Sequence, residues 1–242
     1  MTTWARHLYE HDPLAIAKGE SNDYSVVNMF GYQPTVSTTF IPAWEYATAY
    51  TYPTTAINLT IDSTDSDDDG SNIRVVGLDS NYDVVVEDVL IDTASPNTTT
   101  NQFLRVNDMF FFDTDGNEGV ITASNGGTVY AAIRAGDGKS QAAIYTVPRN
   151  HSLYLWRIQA FSADSTSSKT AVFRNFTRTP EGRFFTVGRT TFAGDMNILR
   201  NVPFKYEERT DVQFQVSTVQ GTHEVSAFGE GVLCKNTIQG EP

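Results

Sequence analysis

From residue 56 onwards, apolar and polar residues alternate in short runs that are separated by turns. The alternation is clearest in "AINLTID", "NIRVVGLD" and "YDVVVEDVLID", within residues 56–92. A two-residue period predicts strands that bury one face, and Gly, Asn, Asp and Pro between the runs predict turns. Similar runs recur roughly every 10 to 15 residues up to "EVSAFGEGVL", with no long helical period. We therefore predict an all-β fold of antiparallel β-sandwich or jelly-roll-like units.

The first 35 residues show neither period, apart from one possible helical turn in "DPLAIAKG". Pro34 and Pro42 predict an interruption of regular structure. We predict an irregular extended arm over 1–35, a first β unit over 36–135 and a second β-sandwich unit over 136–242. The last boundary follows a change of composition at "RAGDGKSQ".

Free termini usually fray, so such an arm is expected to be held by a neighbouring copy or by another protein. Aromatic side chains are the natural anchors for that contact. The partner-binding candidates are Trp4, Tyr9, Phe30, Tyr32, Phe40 and Trp44.

The charge balance argues against nucleic acid as a partner. Seventeen basic residues against 29 acidic ones give a net charge of −12, which repels phosphate backbones. Five arginines (174, 178, 183, 189 and 200) fall in one stretch, and we interpret them as exposed strand and turn positions.

The single cysteine excludes an intrachain disulfide. No signal peptide and no membrane-spanning helix are predicted.

The acidic stretch "DSTDSDDDG" at residues 62–70 raises the question of a calcium loop. Asp65, Asp67, Asp69 and Gly70 match the first half of an EF-hand loop, but Val76 stands where the bidentate glutamate is required. The stretch also lies between two predicted strands, where a polar turn is expected. We favour a turn over a specific calcium site, with Asp65, Asp67 and Asp69 as a weak candidate cation loop.

No catalytic motif is found. A nucleophile elbow, a phosphate loop and a dinucleotide fingerprint are all missing from the sequence. His7 and His11 are four residues apart but do not provide enough ligands for a structural zinc site. We predict a protein without enzymatic activity or cofactor.

The segment "GLDSNYDVVVEDVLID" followed by "QFLRVNDMFF" resembles virion-associated structural proteins of tailed bacteriophages, especially marine and cyanobacterial ones. The resemblance extends to "WEYATAYTYP", "AAIYTVPRNHSLYLWRIQA", "TRTPEGRFFTVGR" and "ERTDVQFQVSTVQGTHEVSAFGEGVL". It covers about residues 30 to 234, and the order of the segments is more specific than any one of them. The family offers no catalytic residues to transfer.

The resemblance implies a virion protein that is assembled in the host bacterial cytoplasm. The favoured role is a capsid decoration or cement protein that braces neighbouring capsomers. Its expected partner is the major capsid protein or another virion structural protein, and a homo-oligomer, preferably a trimer, is expected. The alternatives are a neck or tail component (an adaptor or receptor-binding protein), a carbohydrate-binding or adhesin-type module, and a polysaccharide-degrading enzyme with two facing carboxylates.

Overall fold

The computed structural model describes residues 13–20, 23–47, 49–113, 116–163 and 170–236. These residues form sixteen strands with antiparallel pairing, which confirms the all-β prediction. The only helices among them are α1, with five residues, and one 3₁₀ turn. Neither has the length and hydropathy that a membrane crossing requires. In chain order the elements are α1 (Pro13–Ala17), β1 (Tyr24–Val36), β2 (Ile41–Pro42), β3 (Thr60–Ser63), the 3₁₀ turn (Ser66–Asp68), β4 (Asn72–Leu78), β5 (Val84–Leu90), β6 (Asn97–Thr98), β7 (Arg105–Phe111), β8 (Ile121–Asn125), β9 (Thr128–Ile133), β10 (Ile144–Thr146), β11 (His151–Ser162), β12 (Ala171–Arg178), β13 (Phe184–Phe192), β14 (Asp195–Tyr206), β15 (Asp211–Thr218) and β16 (His223–Lys235).

Two facing sheets form what we call the large sandwich. One has the strand order β1-β16-β11-β14, and the other has β10-β15-β12-β13 with β2 also paired to β15. The inward side chains of both sheets build one apolar core, in which Phe173 and Phe214 meet edge to face with centroids 5.1 Å apart. Gly229 permits this packing, because a Cβ at that position would lie 2.7 Å from the ring of Phe214.

The remaining strands form the small sandwich, from sheets ordered β6-β3-β8-β9 and β5-β4-β7. Its separate core includes the fully buried Ile61, Ile73, Met109 and Ile121. The hairpin predicted around "GLDSNYD" is confirmed, since β4 and β5 pair along their whole length. The Asp79 carboxylate shapes its turn by accepting the backbone N–H groups of residues 81 and 83 at 2.7 and 3.0 Å.

The prediction of an irregular arm over 1–35 is wrong for residues 24–35, which belong to the strand β1. This strand pairs with β16 from Tyr24↔Cys234 to Val36↔His223. Pro34 is tolerated because β1 is an edge strand and its register shifts between residues 33 and 36. Residues 1–12 lie outside the described residues.

The start of the predicted first unit at residue 36 is also corrected. Ile41 and Pro42 pair with Val216 and Gln215 of β15, so this segment belongs to the large sandwich. Ala43 and Trp44 are buried there as well. Gly31 of β1 allows the close approach, because a Cβ would lie 1.9 Å from the carbonyl oxygen of residue 43. The boundary between residues 135 and 136 stays a prediction.

A buried ionic cluster joins the two sandwiches. Arg105 of β7 donates from Nε and Nη2 to the carboxylate of Asp211 in β15, at 2.8 and 3.2 Å. Arg178 of β12 donates to the same carboxylate at 2.8 Å, and the Thr146 hydroxyl donates at 2.6 Å. Arg105 and Asp211 are 3% and 2% exposed, so this is a fully desolvated contact.

Replacing Asp211 with Asn should lower the free energy of unfolding by about 3–5 kcal/mol, because it leaves a buried guanidinium without its anion. Urea denaturation measures the change. Asp88→Asn is the matched control: Asp88 accepts a similar two-point contact from Arg74, but at the surface, where ion pairs contribute little. A loss from Asp211→Asn no larger than the control's would contradict a structural role for the cluster.

Candidate functional site

The acidic stretch forms a hydrogen-bonded turn between β3 and β4. Asp65 caps the 3₁₀ turn by accepting from the backbone N–H of Asp67 at 3.0 Å. Asp69 accepts from the backbone N–H and the hydroxyl of Thr93 at 2.7 and 3.0 Å. The carboxylates of Asp65 and Asp69 thus accept hydrogen bonds from groups of the protein itself, as expected of a turn.

Asp68 is the buried member of the stretch, and no local pattern in the sequence distinguishes it from its exposed neighbours. Its carboxylate accepts from the backbone N–H groups of Glu118 and Gly119 at 2.8 and 3.0 Å, and from the Ser63 hydroxyl at 2.5 Å. Asp68 therefore ties the β3–β4 connection to the β7–β8 connection. Across the described chain, no group of three or more His, Cys, Asp or Glu side chains has the geometry to hold a metal ion.

The predicted partner-binding aromatics do not share one surface. Trp4 and Tyr9 lie outside the described residues. Trp44 is 1% exposed and packs against the ring of Tyr50 at 5.2 Å. The Tyr32 hydroxyl donates to Glu224 at 2.5 Å.

Phe30 and Phe40 occupy two different places on the large sandwich. Phe30 is exposed on β1 and lines a groove between the sandwiches. Phe40 is half-buried beneath the guanidinium groups of Arg174 and Arg189, at 4.1 and 5.1 Å from the ring centroid. Each of these two surfaces is a candidate docking site.

The first surface, which we call the inter-sandwich groove, has a volume of about 490 Å³. Residues 25–30 of β1 form one wall, and Val76, Val84 and Phe110 of the small sandwich contribute to the other. The exposed side chains of Val26 and Val84 add apolar surface at the groove. One ion pair, Lys139 with Asp108 at 2.8 Å, lies among these apolar groups.

Among the described strands, β1 pairs on one side only and presents its other backbone edge at this groove. The carbonyl of Asp23 accepts from the N–H of Lys235 at 3.0 Å, in the register that β1 and β16 follow. Bonded and non-bonded residues alternate in an antiparallel pair, so the even-numbered Val26, Asn28 and Phe30 direct their N–H and C=O groups away from β16. No strand of the described chain pairs with that side of β1. This arrangement can accept an added strand.

The second surface, which we call the arginine edge, comprises Arg174, Arg183, Arg189 and Arg200 around β12, β13 and β14. Within the described residues, none of these four has a carboxylate within 4.0 Å. Arg178 differs from them because it pairs with the buried Asp211. The clustering was visible in the sequence, but which arginines lack a carboxylate depends on the sheet register.

Glu45 is a buried carboxyl group near both sheets of the large sandwich. Its side chain is 5% exposed, and neither oxygen has a hydrogen-bond donor among the described residues. Arg134 Nη1 lies 4.0 Å away. Burial, with the negative charge of Asp137 as the next cause, raises the pKa of Glu45 to about 7.

Comparisons with known proteins leave the family open. No protein-family model matches the chain, and no curated protein matches it significantly. Among solved structures, a chain of the T=1 particles derived from infectious bursal virus is 10% identical with a TM-score of 0.24, covering 89% of this chain and 70% of that one. A chain of the VP2 subviral particle of infectious bursal disease virus is 13% identical with a TM-score of 0.23, covering 89% and 73%. Scores this low do not establish a common fold.

Asp68→Asn should lower the free energy of unfolding by about 1–3 kcal/mol, because an amide cannot satisfy three donors as the buried carboxylate does. Thermal and urea denaturation measure the loss. Asp67→Asn is the control, since the Asp67 side chain is exposed beside it. The loss should be equal in calcium and in chelator. A loss from Asp67→Asn seen only in calcium would instead indicate a cation site at Asp65, Asp67 and Asp69.

Glu45 should make stability depend on pH. Its folded pKa of about 7 lies above the ordinary value of 4.5 for a glutamate. Between these two pH values the folded state therefore keeps a proton that the unfolded state has released. Stability should therefore fall as pH rises through this window, by about 2 kcal/mol, and then level off.

Urea denaturation at several pH values from 5 to 8 tests this expectation for Glu45. Glu45→Gln should remove the decrease, whereas Glu20→Gln at an exposed position should preserve it. A Glu45→Gln protein with the wild-type pH profile would contradict the assignment.

Proposed function

We propose that this chain is a non-enzymatic structural protein of a tailed bacteriophage virion, and most specifically a capsid decoration or cement protein. The observation that carries the proposal is the unpaired edge of β1 beside the apolar inter-sandwich groove. An added strand from a neighbouring capsid subunit would gain main-chain hydrogen bonds from Val26, Asn28 and Phe30 and would bury the groove's side chains. The resemblance to virion-associated proteins supports the same role.

The proposed mechanism is bracing without chemistry. One capsid subunit would contact the small sandwich, and a second would supply the added strand. This protein would hold the two subunits together as one rigid body. The rigidity comes from the buried Arg105–Asp211 contact, which fixes the two walls of the groove relative to each other. A homo-oligomer, with a trimer preferred, is part of the proposal, because symmetric assembly multiplies each contact.

Particles produced without this protein and then incubated with purified variants provide the test. Phe30→Asp should reduce particle occupancy by about ten-fold or more, the scale of losing a central aromatic contact. Phe161→Asp is the matched control, because Phe161 is equally exposed on β11, away from the groove.

A backbone variant separates strand pairing from side-chain packing. Asn28→Pro removes an N–H that points away from β16, so the β1–β16 pairing should persist while strand addition is blocked. Circular dichroism checks the fold. Full occupancy by both Asn28→Pro and Phe30→Asp would contradict the groove as the docking site. A copy number that matches one neck ring rather than a coated shell would favour the neck or tail alternative.

A further inference from the structure

The arginine edge contains two guanidinium groups that face each other, and neither has an acidic partner among the described residues. Arg174 of β12 and Arg189 of β13 are directly opposite in the antiparallel register. Both lie over the ring of Phe40, at 4.1 and 5.1 Å from its centroid. The ring holds the two positive groups on the same outer face of the sheet, so that one ligand can contact both.

This pair is electrostatically unfavourable unless an anion joins it. Like charges directly opposite on neighbouring strands destabilise a sheet. Burial, followed by the charge of Arg189, lowers the pKa of Arg174. Nε of Arg174 donates to the neutral side chain of Gln215 at 2.7 Å, and no carboxylate of the described chain lies within 4.0 Å of either guanidinium. Although the net charge is −12, no acidic residue of the described ranges pairs with either of these two cations.

An unpaired strand edge and exposed apolar side chains adjoin the pair. β13 is an edge strand that pairs only with β12 in the described chain. Phe184 and Phe185 at its start are 55% and 48% exposed. Across the open side of the sandwich, Leu199 and Val202 of β14 are each 72% exposed. Positive charge, apolar surface and a free edge match an extended segment with acidic and apolar residues.

The details favour a polypeptide over a nucleic acid. Two of the aromatic rings at this edge already have partners: Phe40 lies beneath two guanidinium groups, and Phe184 stacks on Phe176 at 5.4 Å. Stacking of bases on aromatic rings is one of the two contributions on which single-strand binding depends. The net negative charge adds long-range repulsion of any phosphate backbone. Only a polypeptide, and not a nucleic acid, could form strand-type hydrogen bonds with the backbone edge of β13.

We propose that the arginine edge binds an extended acidic segment of a neighbouring protein, with one carboxylate bridging Arg174 and Arg189. Carboxylates and guanidinium groups form two-point, charge-assisted hydrogen bonds. The segment lies along β13 and covers Phe184 and Phe185. The idea that this neighbour is a virion subunit rests on the proposed function; the binding chemistry does not.

Purified full-length protein tests the binding site directly. The probe is a fluorescently labelled random copolymer of glutamate and tyrosine, titrated by anisotropy at low ionic strength. Wild-type protein should bind it, and Arg189→Gln and Arg174→Gln should each weaken binding by about ten-fold, the scale of one charge-assisted contact. Arg157→Gln is the charge-matched control, because Arg157 lies on the other sheet and faces Glu230 at 3.8 Å.

The outcomes separate the alternatives. Thermal denaturation should show that Arg189→Gln is at least as stable as wild type, since it relieves repulsion with Arg174, so lost binding would not reflect unfolding. No binding of the copolymer, equal losses from Arg157→Gln, or tighter binding of a labelled DNA duplex would overturn the proposal. None of these results would bear on the inter-sandwich groove, whose variants are tested on particles.

Discussion

The contact on which the arrangement of this protein depends is the buried carboxylate of Asp211, shared by Arg105 and Arg178. Removing these charges from water is costly, and the cost is offset only if every group keeps its partner. The geometry meets this condition, because Thr146 and both arginines donate to one carboxylate. The small sandwich is therefore fixed to the large one through a specific orientation rather than through a flexible linker.

The inter-sandwich groove follows from that fixed orientation, whereas the arginine edge is built within the large sandwich alone. The inter-sandwich groove exists only because β1 of one sandwich and β4, β5 and β7 of the other stay at a set distance. The arginine edge lies at the opposite end of the β15-β12-β13 sheet order from β10 and β2. Under the proposed function, the two candidate surfaces would let one molecule contact two neighbours, as bracing an assembly requires.

Acidic residues serve three different purposes in this chain. Asp211 joins the sandwiches, and Asp68 anchors two loops of the small sandwich. Glu45 is buried without a hydrogen-bond donor in the described chain, and burial raises its pKa to about 7. The net charge of −12 alone would not have separated these roles, because each depends on which donors surround the carboxylate.

The sequence by itself determined the all-β class, the β4–β5 hairpin and the turn at the acidic stretch, because these depend on local alternation and turn residues. Only the tertiary structure shows that the segments β1, β2 and β14 form strands. Pro34 and Pro203 suggest interruption when read locally, yet both lie in edge strands with register shifts, where a missing N–H costs little. The groove and the Asp211 cluster likewise join residues far apart in the chain, and strand order, which no local pattern encodes, brings them together. Arg174 and Arg189 are neighbours on one hairpin, but only its register places them opposite each other.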